Sequence, residues 1–203
     1  MKAIILAAGR GLRMRDLTDE RPKCLVEMRG KVLLDWQLEA LRGAGVSDIA
    51  IVAGYKSELL SNRGLVEFQN PRWAETNMVS SLACAQEWLL SEPCIVSYSD
   101  IFYEALAVES LIKSTARLAI TYDPHWLKLW EKRFDDPLLD AETFRLNSIC
   151  SPCKTAMPMG VIAKKIKATP IAETVHRLFR SSGSTAWSLP RDFFQIALPC
   201  STK

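Results

Sequence analysis

Histidine is almost missing from this chain: there are two in 203 residues, His125 and His176, and neither has a legible partner. That leaves no Ser-His-Asp arrangement and no histidine-rich metal centre. Long apolar runs are missing as well; none reaches the ~18 residues that a membrane-spanning helix needs. Ile4-Ile5-Leu6 is too short, and too near the start, to serve as a signal peptide. A cytoplasmic location without a membrane partner is therefore expected. The six cysteines (24, 84, 94, 150, 153, 200) are too scattered for a secreted disulfide scaffold. Cys150-Ser-Pro-Cys153 has no second pair to complete a zinc site, since His176 and Cys200 stand at unhelpful spacing. Nor does it follow a first strand, as a thioredoxin-like motif would. Acidic residues run out late in the chain. After residue 149 only Glu173 and Asp192 face eight Lys and Arg, whereas before it twenty-one acids face eighteen bases. Aromatic residues do not interleave with those late bases, so no nucleic-acid partner is expected.

What remains is the make-up of a soluble globular protein, 48% hydrophobic and 24% charged, with a net charge of +3. The length suits one domain with a sizeable core. The most informative stretch is the first one. Ala3–Ala8 is an apolar strand that empties into Gly9-Arg10-Gly11-Leu12-Arg13, and Arg21-Pro22-Lys23 follows. Small residues at a strand end leave backbone N–H groups free to face phosphate oxygens. Gly9 and Gly11 permit positive φ and close approach to a ligand. Arg13 and Lys23 can then neutralise a triphosphate, Lys23 with its approach fixed by Pro22. Arg10 is a further candidate, or simply solvated. No third glycine follows Gly11 at the dinucleotide-binding spacing, and no Gly-Lys-Ser/Thr follows at the P-loop spacing.

Leu6-Ala7-Ala8-Gly9-Arg10-Gly11-Leu12-Arg13, then Leu17-Thr18 and Pro22-Lys23, resembles the nucleotidyltransferase family of sugar-phosphate nucleotidylyltransferases and phosphocholine cytidylyltransferases. The resemblance implies transfer of a nucleoside monophosphate, CMP from CTP being favoured, onto a small phosphorylated acceptor such as phosphocholine. A sugar 1-phosphate is the alternative acceptor, and nucleotide binding without turnover a third reading. It implies Mg²⁺ as cofactor, a Rossmann-like, mostly parallel sheet, and a chain that acts as monomer or homodimer. It covers residues 1–147, the expected core. Residues 148–203 depart from the family and read as divergent, incomplete or out of frame. The Gly-rich strand and second metal-binding aspartate expected there have no counterpart, because the context of Asp192, Pro190-Arg-Asp-Phe-Phe, does not match.

Hydrophobic periodicity gives the same architecture independently. Leu33–Gly43 and Ser80–Leu90 have helical spacing, as does Val108–Lys113. Asp48–Ala53, Leu65–Phe68, Pro93–Tyr98 and Leu118–Tyr122 read as strands. Alternating strands and helices predict an α/β fold with helices on both faces and ligands beyond the strands' carboxyl ends. Past about Asn147 no period is sustained, apart from a helical candidate at Ile171–Arg180. Those residues are expected to pack poorly on the sheet.

Four further groups are candidates for chemistry. Asp100 ends an apolar strand and would point into the cleft, as a metal ligand or as a turn aspartate. Ala7, Ala8 and Gly54 are small enough to let a flat base lie against backbone, and Leu6 precedes them. Asn77 and Ser80 can face base or ribose, although Ser80 can equally cap a helix. Trp126 and Trp130 stand at helical spacing with Phe134, beside Asp123, Asp135 and Asp136. Such a stripe is either core or a cage for a quaternary ammonium on the acceptor.

Overall fold

In the computed structural model, the described residues are 1–115, 119–121, 126–132, 134–136, 142–145, 154–157 and 162–164. In chain order the strands and helices are β1 (Lys2–Ala7), β2 (Glu27–Met28), β3 (Lys31–Val32), α1 (Leu33–Gly43), β4 (Ile49–Ala53), β5 (Val66–Gln69), α2 (Met78–Ala83), α3 (Gln86–Ser91), β6 (Cys94–Tyr98), α4 (Ala105–Lys113), β7 (Ala119–Ile120), α5 (Trp126–Trp130), β8 (Glu142–Arg145), β9 (Lys154–Met157) and β10 (Ile162–Lys164). Short 3₁₀ helices cover Leu12–Thr18, Lys23–Leu25 and Ser57–Leu60.

Six strands form the main sheet, in the order β5-β4-β1-β6-β10-β7. Four consecutive strands, from β5 at one edge through β4 and β1 to β6, run parallel. Strand β4 reads Ile-Ala-Ile-Val-Ala and is buried at every residue, as a parallel strand covered on both faces must be. Strand β1 alternates between two cores. Ala3, Ile5 and Ala7 face a cluster with Leu34, Leu38 and Leu41 of α1 and Val108 and Leu111 of α4. Ile4, with Leu6 partly buried beside it, faces a second cluster with Ala85, Leu82, Trp88 and Leu89. Helices thus cover both faces, as the hydrophobic periodicity predicts. Each fully buried Ile or Leu adds ~1.5–3 kcal/mol to holding these layers together. Among the described residues no helix is long and apolar enough to cross a membrane.

The expected helix Leu33–Gly43 is present with the same bounds. The expected helix Ser80–Leu90 is two short helices, α2 and α3, separated at Cys84 and Ala85. Ala85 is fully buried against Ile4, Val52 and Cys94. The chain turns there, so that Leu82 before it and Trp88 and Leu89 after it meet the same sheet face. The expectation that residues past about 150 pack poorly on the sheet is corrected for one segment. Strand β10 inserts between β6 and β7, antiparallel to both. Three residues are too few to show a period. The tight turn at Arg29 and Gly30, φ 54° and 77°, joins β2 to β3. An Arg-Gly pair between short extended segments is a weak hairpin signal, since positive φ at both central residues suits this turn.

Candidate functional site

Register fixes where the site lies. Leu6 pairs with Tyr98 and Ala7 with Ala53, so the carboxyl ends of β1, β4 and β6 share one edge of the sheet. The Ala8–Gly11 turn, Gly54-Tyr55 and Ser99-Asp100 leave that edge together. Three loops from three parallel strands thus converge, as the order of elements predicts.

Ala7 and Ala8 are buried, and the chain becomes exposed at Gly9. Gly11 adopts φ 75° and ψ 49°, the left-handed region, and starts the 3₁₀ helix Leu12–Thr18. Its carbonyl accepts from Met14 N–H at 2.9 Å and from the Thr18 hydroxyl at 3.3 Å. Thr18 is only 1% exposed, so the turn is pinned from inside. Arg13 lies on this helix. Pro22, φ −61° and ψ 152°, then starts the next 3₁₀ turn, Lys23–Leu25. From it Lys23 reaches across, and its Nζ donates to Asp100 Oδ2 at 2.7 Å.

The two charged residues singled out in the sequence therefore meet, though seventy-seven positions apart. Both side chains are partly open, at 26% and 34% exposure. Gly11 makes the meeting possible, because a Cβ there would fall on the aliphatic stem of Lys23. Gly11→Ala should therefore displace Lys23 and strain the turn by ~1–2 kcal/mol. The expected result is weaker binding of a nucleoside triphosphate, read by titration, with a modest fall in melting temperature. Unchanged affinity would show that the turn does not set Lys23.

A second layer braces the loop. Arg10 Nη2 pairs with Asp19 Oδ1 at 2.8 Å, and the guanidinium carbon Cζ lies 5.6 Å from the centre of the Tyr55 ring. The Tyr55 hydroxyl donates to the Asp19 carbonyl at 2.6 Å, and Lys56 pairs with Glu20 at 3.0 Å. Asp19 and Tyr55 hold the Arg10 guanidinium in its charged form, the Asp19 hydrogen bond being the larger effect. Arg10 thus ties the glycine turn to the exit of β4, a role that its place in the sequence does not reveal.

Gly54 is held small by its packing. A Cβ there would stand 2.7 Å from Trp73 Cβ and 2.8 Å from the Ala8 carbonyl oxygen. The space that its small size leaves is filled by Trp73, whose ring meets Tyr55 edge-on at 5.2 Å. Asn77 differs from expectation. It caps α2, its Oδ1 accepting from Val79 N–H at 3.0 Å and Ser80 N–H at 3.1 Å. Ser80 sits inside the first turn rather than at the cap, with its hydroxyl 3.5 Å from the same Asn77 oxygen. Asn77 wins because a short side-chain oxygen outside the first turn satisfies two N–H groups at once.

The aromatic stripe is only partly within view. Trp130 ends α5, half-buried, with its ring 6.4 Å from that of Phe134. Trp126 begins that helix. Asp123, the Cys150–Cys153 pair, His125, His176, Asp192, Cys200 and the helical candidate at Ile171–Arg180 lie outside the described residues. Among the described residues, no three His, Cys, Asp or Glu side chains cluster as a closed metal centre. Cys24, Cys84 and Cys94 are free thiols.

Sequence reasoning missed Gln37. This residue of α1 is fully buried, and its Nε2 donates to the carbonyls of Tyr98 and Ile101 on either side of Asp100. A glutamine among Leu34, Leu38 and Leu41 on the core face was the available signal.

A CTP:phosphoglutamine cytidylyltransferase from Campylobacter jejuni is 42% identical over 158 residues, covering 73% of this chain and 62% of that protein. A choline-phosphate cytidylyltransferase from Streptococcus pneumoniae is 34% identical over 119 residues, covering 57% of this chain and 52% of that protein. The chain thus spans a little over half the length of these curated relatives. The solved structure of a CTP:phosphocholine cytidylyltransferase from Streptococcus pneumoniae overlays 89% of this chain and 78% of its own, with a TM-score of 0.58 at 22% identity. That likeness shows a shared fold. Residues 3–146 match the MobA-like NTP transferase domain, and the chain belongs to that family.

Proposed function

We propose that this protein is a nucleotidyltransferase, which moves CMP from CTP to a small phosphorylated acceptor and releases pyrophosphate. The observation that carries the reading is the Lys23–Asp100 pair, 2.7 Å apart where the glycine turn and the end of β6 converge. A partly exposed cation and carboxylate at one strand edge are poor packing material and good tools for handling phosphates. The family match over residues 3–146 supports the reaction class, and the 42% identical relative supports CTP.

In the reaction an acceptor phosphate oxygen forms a bond to the α-phosphorus of CTP. The bond from that phosphorus to the bridging oxygen breaks, and its electron pair leaves with pyrophosphate. Backbone N–H groups of the Ala8–Gly11 turn would hold phosphate oxygens. Lys23 would exchange its carboxylate partner for the α-phosphate or the acceptor phosphate, and Arg13 would serve the β- and γ-phosphates. Holding two anions in line is itself a large part of the acceleration. Asp100 suits Mg²⁺ as a single carboxylate, since this ion keeps waters and takes its remaining ligands from phosphate oxygens. When bound, the ion would offset the charge that develops on the phosphates.

Pyrophosphate release, measured over the four NTPs against phosphocholine, other phosphorylated small molecules and sugar 1-phosphates, tests the reading. CTP with a phosphorylated non-sugar acceptor is the expected pair. Use of a sugar 1-phosphate alone would move the protein to that class. A second reading, nucleotide binding without turnover, draws on residues 148–203, which depart from the family pattern and lie past the matched residues 3–146. It predicts tight CTP binding with no pyrophosphate released.

Trp130 tests the acceptor. If it lines an ammonium cage, Trp130→Ala should raise the KM for phosphocholine about tenfold, since a desolvated cation–π contact is worth ~1–2 kcal/mol. The KM for CTP should stay the same. A large fall in melting temperature that affects both substrates alike would place Trp130 in the core and end the cage reading.

A further inference from the structure

We infer that Gln37 is the positioning residue for Asp100, resting on the reading of Asp100 as the metal-holding carboxylate. Gln37 lies on the core face of α1, fully buried, on the same helix face as Leu34, Leu38 and Leu41. Its two amide protons are divided. One goes to the Tyr98 carbonyl at 2.8 Å, the last residue of β6. The other goes to the Ile101 carbonyl at 2.7 Å. These two carbonyls bracket Ser99-Asp100, so one rigid amide fixes both ends of the turn that presents the carboxylate. The Ser97 hydroxyl also donates to the Tyr98 carbonyl, at 3.0 Å, and Ser99 is buried beside it.

The amide oxygen is the telling atom. Gln37 Oε1 is buried without a hydrogen-bond partner. An orphaned buried acceptor costs stability, and native proteins keep few of them. Gln37 is also separated from the rest of the machinery: Lys23 meets Asp100 from the opposite loop. The amide reaches the site through the backbone of the Asp100 turn. Groups that orient a metal-holding carboxylate from behind typically change metal affinity 10–100-fold when removed.

The test is a double-mutant cycle on the full chain with Gln37→Met and Asp100→Asn, alone and together. Each protein is titrated with Mn²⁺ in the presence of CTP, bound ion being read by electron paramagnetic resonance, and assayed separately for pyrophosphate release. Gln37→Met should weaken Mn²⁺ binding about tenfold. It should add nothing in the Asp100→Asn background, because both changes remove the same carboxylate geometry. CTP binding without metal should not move. Melting temperatures of all four proteins accompany the cycle; if Gln37→Met fails to fold, Gln37→Asn, too short to reach both carbonyls, replaces it. Wild-type Mn²⁺ affinity in the Gln37 variant, effects that add in the double variant, or a parent chain that holds no Mn²⁺ would each overturn the inference. A parent that binds Mn²⁺ and CTP yet releases no pyrophosphate would instead overturn the transfer reading and leave the positioning role intact.

Discussion

Lys23→Ala and Asp100→Ala should each cut pyrophosphate release by about 10²–10³, equivalent to ~3–4 kcal/mol of lost transition-state stabilisation. Neither should unfold the protein. The pair that they form is 2.7 Å long but 26% and 34% exposed. An open pair of this kind contributes only ~0–1 kcal/mol to stability. The two magnitudes separate the explanations. A structural ion pair would cost little anywhere, whereas a preorganised charge beside the α-phosphate costs two or three powers of ten in rate. Turnover and circular dichroism measured on the same samples decide between them. Near-parental turnover in either variant would remove that residue from the mechanism. Equal loss of ellipticity and turnover would return it to the fold.

The layout of the site was legible because it follows from periodicity. Strand β1 and the helix Leu33–Gly43 carry strong patterns, and parallel strands place their carboxyl ends together. Once Ala3–Ala8, Asp48–Ala53 and Pro93–Tyr98 read as strands, the glycine turn, Gly54 and Asp100 had to converge. What periodicity does not carry is which groups touch. Lys23 and Asp100 are far apart in sequence, and nothing local says that one reaches the other. Gln37 was hidden for the same reason, since its partners are backbone carbonyls of another element. The packing of Trp73 against Gly54 is likewise a contact between separate segments that the sequence does not reveal. Asn77 and Ser80 stand three apart, both able to cap, and only the path of the chain chooses.

The short segments were the least legible. The 3₁₀ helix Leu12–Thr18 leaves Leu12 and Leu17 exposed, so apolar spacing does not mark it, and it depends on the Gly11 conformation and on buried Thr18. Strand β10 is three residues long and far in sequence from both neighbours, Cys94–Tyr98 and Ala119–Ile120. Its place in the sheet comes from pairing, a long-range property.

Alkaline pH should unfold this protein, and Cys24 should be a main cause. Cys24 is fully buried beside Lys23, in the 3₁₀ turn that carries the lysine. Burial pushes its thiol from the ordinary 9.0 up to about 12, with Arg63 pulling the value down and Asp100 pushing it up. Below pH 9 the folded and unfolded chains both keep this proton, and stability does not depend on pH through it. Between 9.0 and about 12 the unfolded chain releases the proton while the folded chain retains it. The unfolded state then binds fewer protons, so stability falls as pH rises. At ~1.4 kcal/mol per pH unit, the whole window is worth on the order of 4 kcal/mol. That is a large share of the ~5–15 kcal/mol that holds a domain folded. Burial also pushes Cys94 to about 11 and Tyr103 to about 12, so the losses run in the same direction. Urea midpoints at pH 8, 9.5 and 10.5 should therefore fall steadily in the parent chain. Cys24→Ala should start from a lower midpoint, having lost a buried side chain, yet fall less steeply with pH. Parallel slopes for the two proteins would clear Cys24 and leave the alkaline loss to Cys94 and Tyr103.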